Sequence, residues 1–322
     1  MINIEEKSKR LDYFDLSRGI AIILVMLGHI YKNESNIIRI WLYSFHLPIF
    51  FIISGSLAQY FSYKKYTVKE YFTKKLKNLF VPYIIFSFIN AVLYLLYSYL
   101  LDDFSKELIY STVIKIITLR GLCGTWFLPC LFGCEMLFFI LNKIFKEERY
   151  VKFIILCLFI FSFSNMFSED SLMCVFIRIF TATGFFAVGY YMYNFIEKVK
   201  SKTSYILLLL ILNIIMTIYN GHVEIYLILY KNPLIYVINS IIGSFMVILL
   251  CKKIKKQKFL SFMGRNSLIV LVTHFIIVNM LITIYLKTLG SINEYVDGFI
   301  ILIISIFIEI IVIKVYNKFL KR

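Results

Sequence analysis

Residues 13–31 read YFDLSRGIAIILVMLGHIY, a stretch in which one Asp, one Arg and one His interrupt an otherwise apolar and small-residue run. About 20 residues of helix span a hydrocarbon core about 30 Å thick. Nine further runs of this kind follow, at residues 40–61, 79–101, 124–143, 151–168, 173–195, 203–220, 233–250, 267–286 and 298–317. With 60% hydrophobic and 18% aromatic residues and a mean hydropathy of +0.81, the 322-residue chain has too little polar surface to cover itself in water. The expectation is an all-α polytopic integral membrane protein with about ten transmembrane helices. No Pro- or Ser-rich linker, internal repeat or long hydrophilic stretch divides it, so residues 1–322 read as a single membrane-embedded domain.

The net charge of +16 would point to nucleic acid if it gathered on one folded face. Instead it alternates from loop to loop. With the N-terminus cytoplasmic, the inner segments hold 26 Lys and Arg, including those of residues 62–78, 143–152 and 251–266. The outer segments hold seven: Lys32, Arg39, Lys106, Lys115, Arg120, Lys231 and Lys287. That pattern is the positive-inside rule, and it implies an even number of helices with both termini cytoplasmic. The outer loops also carry Asp102, Asp103, Glu169, Asp170, Glu294 and Asp297, which have little topological weight. The leading MINIEEKSKR is polar and helix one lacks a small-residue cleavage site, which reads as a signal anchor. The residues around 102–123 include an amphipathic stretch suited to a short interfacial helix. The six cysteines show no CxxC or Cys/His spacing, so neither a disulfide framework nor a metal site is expected.

Ionisable side chains at bilayer depth are costly, and each is a hypothesis about function. Arg18 and His29 are eleven residues apart, which returns to within about 20° of the same helix face, with a separation of roughly 16 Å along the axis. Asp15, one turn earlier, suits an i, i+3 pair with Arg18. The plainer alternative is that Asp15 and Arg18 snorkel to one set of headgroups and His29 to the other. Helix two enters from the opposite side and brings His46 to the depth of His29, while its Ser54, Gly55 and Ser56 allow either a ligand or close helix packing, packing being the commoner use. Trp126 suits an aromatic belt. Glu135, midway along helix four, needs a partner, for which Arg178 and the histidines are candidates. Arg178 suits either a structural pairing or a cluster of glycan hydroxyls. His274 in helix nine suits a helix-to-helix hydrogen bond more often than direct chemistry, and Glu309 suits snorkelling at the end of helix ten.

Together these segments resemble a known family. Asp15, Arg18-Gly19 and Gly28-His29 resemble the opening helix of the acyltransferase family 3 membrane proteins, in which an Arg and a His are separated by ten residues. FHLPIFFIISG (45–55) is similar to that family's second-helix motif and KKLKNLFVPY (74–83) to its basic loop and Pro-containing third helix. WFLPCLF (126–132) with the later Glu135 is similar to the fucose and related sugar O-acetylase branch, and GRNSLIVLVTH (264–274) to the family's late segment. The resemblance implies an O-acyltransferase of the cell membrane that moves an acyl group, usually acetyl, from cytoplasmic acyl-CoA to a hydroxyl of a cell-surface or lipid-linked glycan. Acetyl-CoA would be a co-substrate, with no permanently bound cofactor. In that scheme His29 is the general base, with His46 or Glu135 as its orienting partner. Asp15, Arg18, Lys74, Lys75 and Lys77 serve the donor, and His46, Ser54, Trp126, Arg178 and His274 the acceptor. The competing reading is a lipid-linked glycan flippase, which predicts broken helices around a site at mid-membrane.

Overall fold

The computed structural model describes residues 11–164, 171–291 and 293–319. The basic residues Lys7, Lys9, Arg10, Lys321 and Arg322, the acidic pair Glu169 and Asp170, and the leading segment read as part of a signal anchor lie outside the described residues. Backbone polar groups in lipid must be satisfied within the chain, and helices do this segment by segment. The order is α1 (Asp12–Ile30), α2 (Ile37–Tyr43), α3 (Pro48–Tyr60), α4 (Val68–Lys75), α5 (Val81–Leu100), α6 (Lys106–Ile117) and α7 (Phe127–Ile144). It continues with α8 (Glu148–Phe161), α9 (Met173–Lys198), α10 (Thr203–Asn220), α11 (Pro233–Ile254), α12 (Lys258–Arg265), α13 (Ser267–Leu289) and α14 (Glu294–Phe319).

Among the described residues, nine segments are long and apolar enough to cross a membrane by length and composition, with 37–60 and 68–100 each counted as one. The run expected at 151–168 is instead the 14-residue α8, about 21 Å long and short of a full span. Yet α8 still runs between the two ends of the bundle. It starts beside Lys64, which pairs with Glu148 at 3.3 Å, and the turn after it places Phe163 4.8 Å from Tyr230 in the connection between α10 and α11.

One end of the bundle is basic. There Lys252 Nζ donates to the carbonyls of Ile196, Glu197 and Val199, satisfying the C-terminus of α9, and lies over Tyr13 at the start of α1. Asp15 pairs with Arg265 at 3.5 Å, and Asn317 near the end of α14 donates to Asn266. The described beginning and end of the chain therefore meet at this end. At the opposite end Asn36 caps α2 and also donates to Glu294 of α14, while Arg39 pairs with Glu224.

Two close approaches organise the packing. α1 lies so near α12 that a Cβ on Gly264 would collide with Asp15 O and one on Gly19 with Leu260 O. α3 meets α9 in the same way through Gly55 and Gly189, with Ser56 Oγ donating to Gly189 O. α6 occupies the stretch expected to be interfacial and exposes Tyr110, Val113 and Ile117.

Helix two is broken at Ser44–Leu47, and proline explains the break. Pro48 has no N–H to give Ser44 O, and its ring would clash with that carbonyl in a continuous helix. Ser44 O is satisfied instead by Ser240 Oγ of α11, at 2.7 Å. The irregular backbone is buried in protein rather than exposed to lipid, as it must be.

Candidate active site

At the end of the bundle opposite the basic loops lies a cavity of about 360 Å³. His29 from the last turn of α1, His46 from the break before α3 and His274 from α13 all line it. The His29 and His274 rings are 5.1 Å apart, centroid to centroid, and Phe275 stands 5.3 Å from His29. Tyr43 bridges the group, 6.2 Å from His29 and 4.7 Å from His46. Two of the imidazoles are tethered by backbone carbonyls one turn earlier, His46 Nδ1 to Leu42 O at 2.7 Å and His274 Nδ1 to Val270 O at 2.8 Å. A carbonyl only accepts, so Nδ1 is the N–H in both rings, and each neutral ring keeps an Nε2 lone pair. Among the described residues no set of three His, Cys, Asp or Glu side chains is arranged to hold a metal ion.

Two non-helical segments close the cavity, and one buried cation joins them. Residues 118–126 carry Leu119, Gly121, Cys123 and Gly124 in left-handed backbone and bring Cys123, Gly124 and Trp126 to the wall. The α10–α11 connection, 221–232, brings Glu224 and Tyr226. Arg178 of α9, 2% exposed, donates Nε and Nη2 to Tyr226 O at 3.0 and 2.5 Å and Nη1 to Arg120 O at 3.3 Å. Its guanidinium also lies over the rings of Tyr226 at 4.3 Å and Trp126 at 5.5 Å. Arg178 thus stands behind the wall rather than on it.

The mouth is charged. Arg39 Nη1 donates to Lys32 O at 2.6 Å and Nη2 pairs with Glu224 at 3.4 Å, while Glu224 also faces His222 Nε2 at 3.5 Å. Burial lowers the pKa of Lys32 from its ordinary value and pushes the Cys123 thiol up to about 12.

The remaining residues singled out in the sequence sit elsewhere. Glu135, nine residues and about 13 Å of helix rise beyond Trp126, is not brought to the histidines. The partner expected for it among Arg178 and the histidines is instead Lys75, with Tyr71 OH also donating at 3.2 Å. The loop lysines differ in their surroundings: Lys74 donates to Tyr66 OH, Lys75 is taken up by Glu135, and Lys77 is exposed. Arg18 is half-buried near the basic end, and Asp15 beside it faces Arg265 of α12. Ser54 is half-buried and does not line the cavity; its neighbours Gly55 and Ser56 serve the α3–α9 contact. Glu309 does not snorkel, being fully buried and hydrogen-bonded by Thr273 at 2.9 Å. Sequence reasoning missed Arg39, Glu224, Tyr226 and Tyr43 as site residues. All four sit on short connections or the seven-residue α2, where no periodicity marks a face.

A bundle of membrane helices enclosing imidazoles at one end and basic loops at the other fits a defined class. Residues 11–314 match the family model described as an acyltransferase domain, and the chain belongs to that acyltransferase family 3. Among curated proteins it is similar to the nodulation protein NolL of Sinorhizobium fredii, 47% identical over a segment that covers 14% of this chain and 15% of the relative. The match therefore spans under a sixth of that relative's length. No solved structure matches the chain.

Proposed function

We propose that the chain, as one membrane-embedded domain, is an O-acetyltransferase of the cell membrane. It takes the acetyl group of acetyl-CoA at the basic, cytoplasmic end and passes it to a hydroxyl of a cell-surface or lipid-linked glycan at the opposite end. The observation that carries this reading is the cavity itself, where three imidazoles meet beside Trp126 and Tyr226. Aromatic faces suit the apolar faces of a sugar, and neutral imidazole nitrogens suit its hydroxyl protons.

His29 is the base. A sugar hydroxyl is a weak nucleophile until its proton is taken, and among the described residues no hydrogen bond ties either nitrogen of His29. Arg18, on the same helix and roughly 16 Å away, is suited to the pyrophosphate or pantetheine amides of the donor. The exposed Lys74 and Lys77 are suited to its phosphates. Lys75 and Glu135, being paired, are assigned to holding α4 against α7 rather than to chemistry.

The break at Ser44–Leu47 keeps a second reading in view, because a flippase for lipid-linked glycans also uses interrupted helices. One assay separates the two. Purified protein in detergent, given acetyl-CoA and a crude surface-glycan extract, will release free CoA. A flippase releases none.

A further inference from the structure

Every buried side-chain nitrogen that lacks a hydrogen-bond partner, among the described residues, belongs to Arg39, His222 or His274. Of these, His274 is the deepest, at 1% exposed, and its Nε2 is the unpartnered atom. Because Nδ1–H is committed to Val270 O, Nε2 can only accept. An acceptor left unmade inside a packed protein is costly and calls for an explanation. The ring is also held in place. Gly124, with φ of +87°, brings the 118–126 segment so close that a Cβ there would stand 3.5 Å from His274 Cε1 and 2.9 Å from Leu271 O.

The nearest imidazole is His29, whose ring centroid is 5.1 Å away at an interplanar angle of 48°. His46 also keeps an Nε2 lone pair, but its close ring neighbour is Tyr43. We propose that His274 is the positioning residue for His29: its Nε2 accepts the ring N–H of His29 and fixes the tautomer whose other nitrogen faces the cavity. Hydrogen bonds of this kind often close only when substrate is bound.

This inference rests on the acyl-transfer reading. In the step it serves, the acceptor oxygen bonds to the thioester carbonyl carbon and its proton passes to the cavity-facing nitrogen of His29. The C–S bond then breaks, and the departing CoA thiolate takes that proton back from His29. His274 keeps its own proton on Nδ1 throughout. Its bond to His29 strengthens while His29 is an imidazolium, as the partner of a catalytic base should.

The test compares CoA release by the wild type, His274→Leu and His274→Gln. A glutamine carbonyl reaches the place of Nε2 and accepts a hydrogen bond, but cannot take a proton. We expect His274→Leu to lower kcat by about 100-fold with KM for acetyl-CoA unchanged, and His274→Gln to stay within about 10-fold of the wild type. Full activity in His274→Leu overturns the proposal. So does a glutamine variant as slow as leucine, which would mean that His274 itself takes the proton. Should the leucine variant fail to fold, His274→Asn replaces it, since its shorter carbonyl falls short of Nε2; asparagine as active as glutamine overturns the proposal too. A silent wild type removes the acyl-transfer reading and this role with it, whereas an active wild type isolates the role of His274.

Discussion

The two ends of the bundle both carry ion pairs but differ in what they leave over. At the basic end charges are matched: Asp15 faces Arg265, Glu135 holds Lys75, Glu148 holds Lys64, and Lys252 gathers three carbonyls. At the histidine end Arg39 pairs with Glu224 as well, but its Nε and the Nε2 of His274 are left without a hydrogen bond, around a cavity walled by strained loops. Burying a polar group without a partner is expensive, and left-handed backbone at Leu119 and Cys123 adds to the cost. Helix packing thus closes one end of the molecule, while the other keeps a cavity. An intramembrane charge by itself marks neither kind of end, since ion pairs form at both; what separates them is a buried imidazole nitrogen left without a partner beside a cavity.

Four measurements test that contrast, in descending order of expected effect. The largest effect belongs to His29→Ala, expected to lower CoA release by about 1000-fold while the protein still elutes as a single species from size exclusion. Normal activity at matched protein level would take the chemistry away from the cavity. Next is the pair at the other end. Lys75→Met strands a carboxylate that is 6% exposed, and we expect a loss of about 2 kcal/mol, or about 30-fold in the folding equilibrium, seen as a lower apparent Tm. Adding Glu135→Gln should recover most of it. No recovery in the double variant would show that the two residues act separately.

Arg18→Lys comes third. It keeps the charge and removes the planar fork, so KM for acetyl-CoA should rise by about 10-fold while KM for the glycan stays put. An effect on the acceptor alone would move Arg18 to the other half of the reaction. The smallest effect is chemical. Burial raises the Cys123 thiol to about 12, so below that pH the nucleophilic thiolate is the minor form. Alkylation of Cys123 should be slow at neutral pH and rise about tenfold per pH unit. Fast labelling at pH 7 would mean that the 118–126 wall opens to water.

Much of this contrast is legible in the sequence, because hydropathy and loop charge report directly on lipid and on the two sides of a membrane. The eleven-residue spacing on helix one marks a stripe, and the resemblance ties His46, Trp126 and His274 to it in segments that the cavity then unites. The fine structure is less legible. Pro48 is visible, but the break it causes depends on Ser240, 192 residues later, offering a hydroxyl to Ser44 O. Glu135 can be paired on paper with any buried base; only the packing of α4 against α7 selects Lys75. Arg39 and Glu224 read as ordinary loop charges because their meeting spans 185 residues and leaves no local pattern. The shortness of α8 is hidden too, since Phe163, Met166 and Phe167, interleaved with Ser and Asn, blur the end of the apolar run in the sequence.

The contact between α1 and α12 has a consequence for how the protein is made. α1 leaves the ribosome well before α11, α12, α13 and α14, yet it packs against all four. His274 is synthesised 245 residues after His29, roughly 12–50 s later at ordinary translation rates. During that interval helix one, with its Arg and His, waits in the membrane without its final neighbours. A methyl group at Gly264 would deny it those neighbours when they arrive, so such a variant should be recognised and degraded as an unfinished protein before its catalysis could be measured.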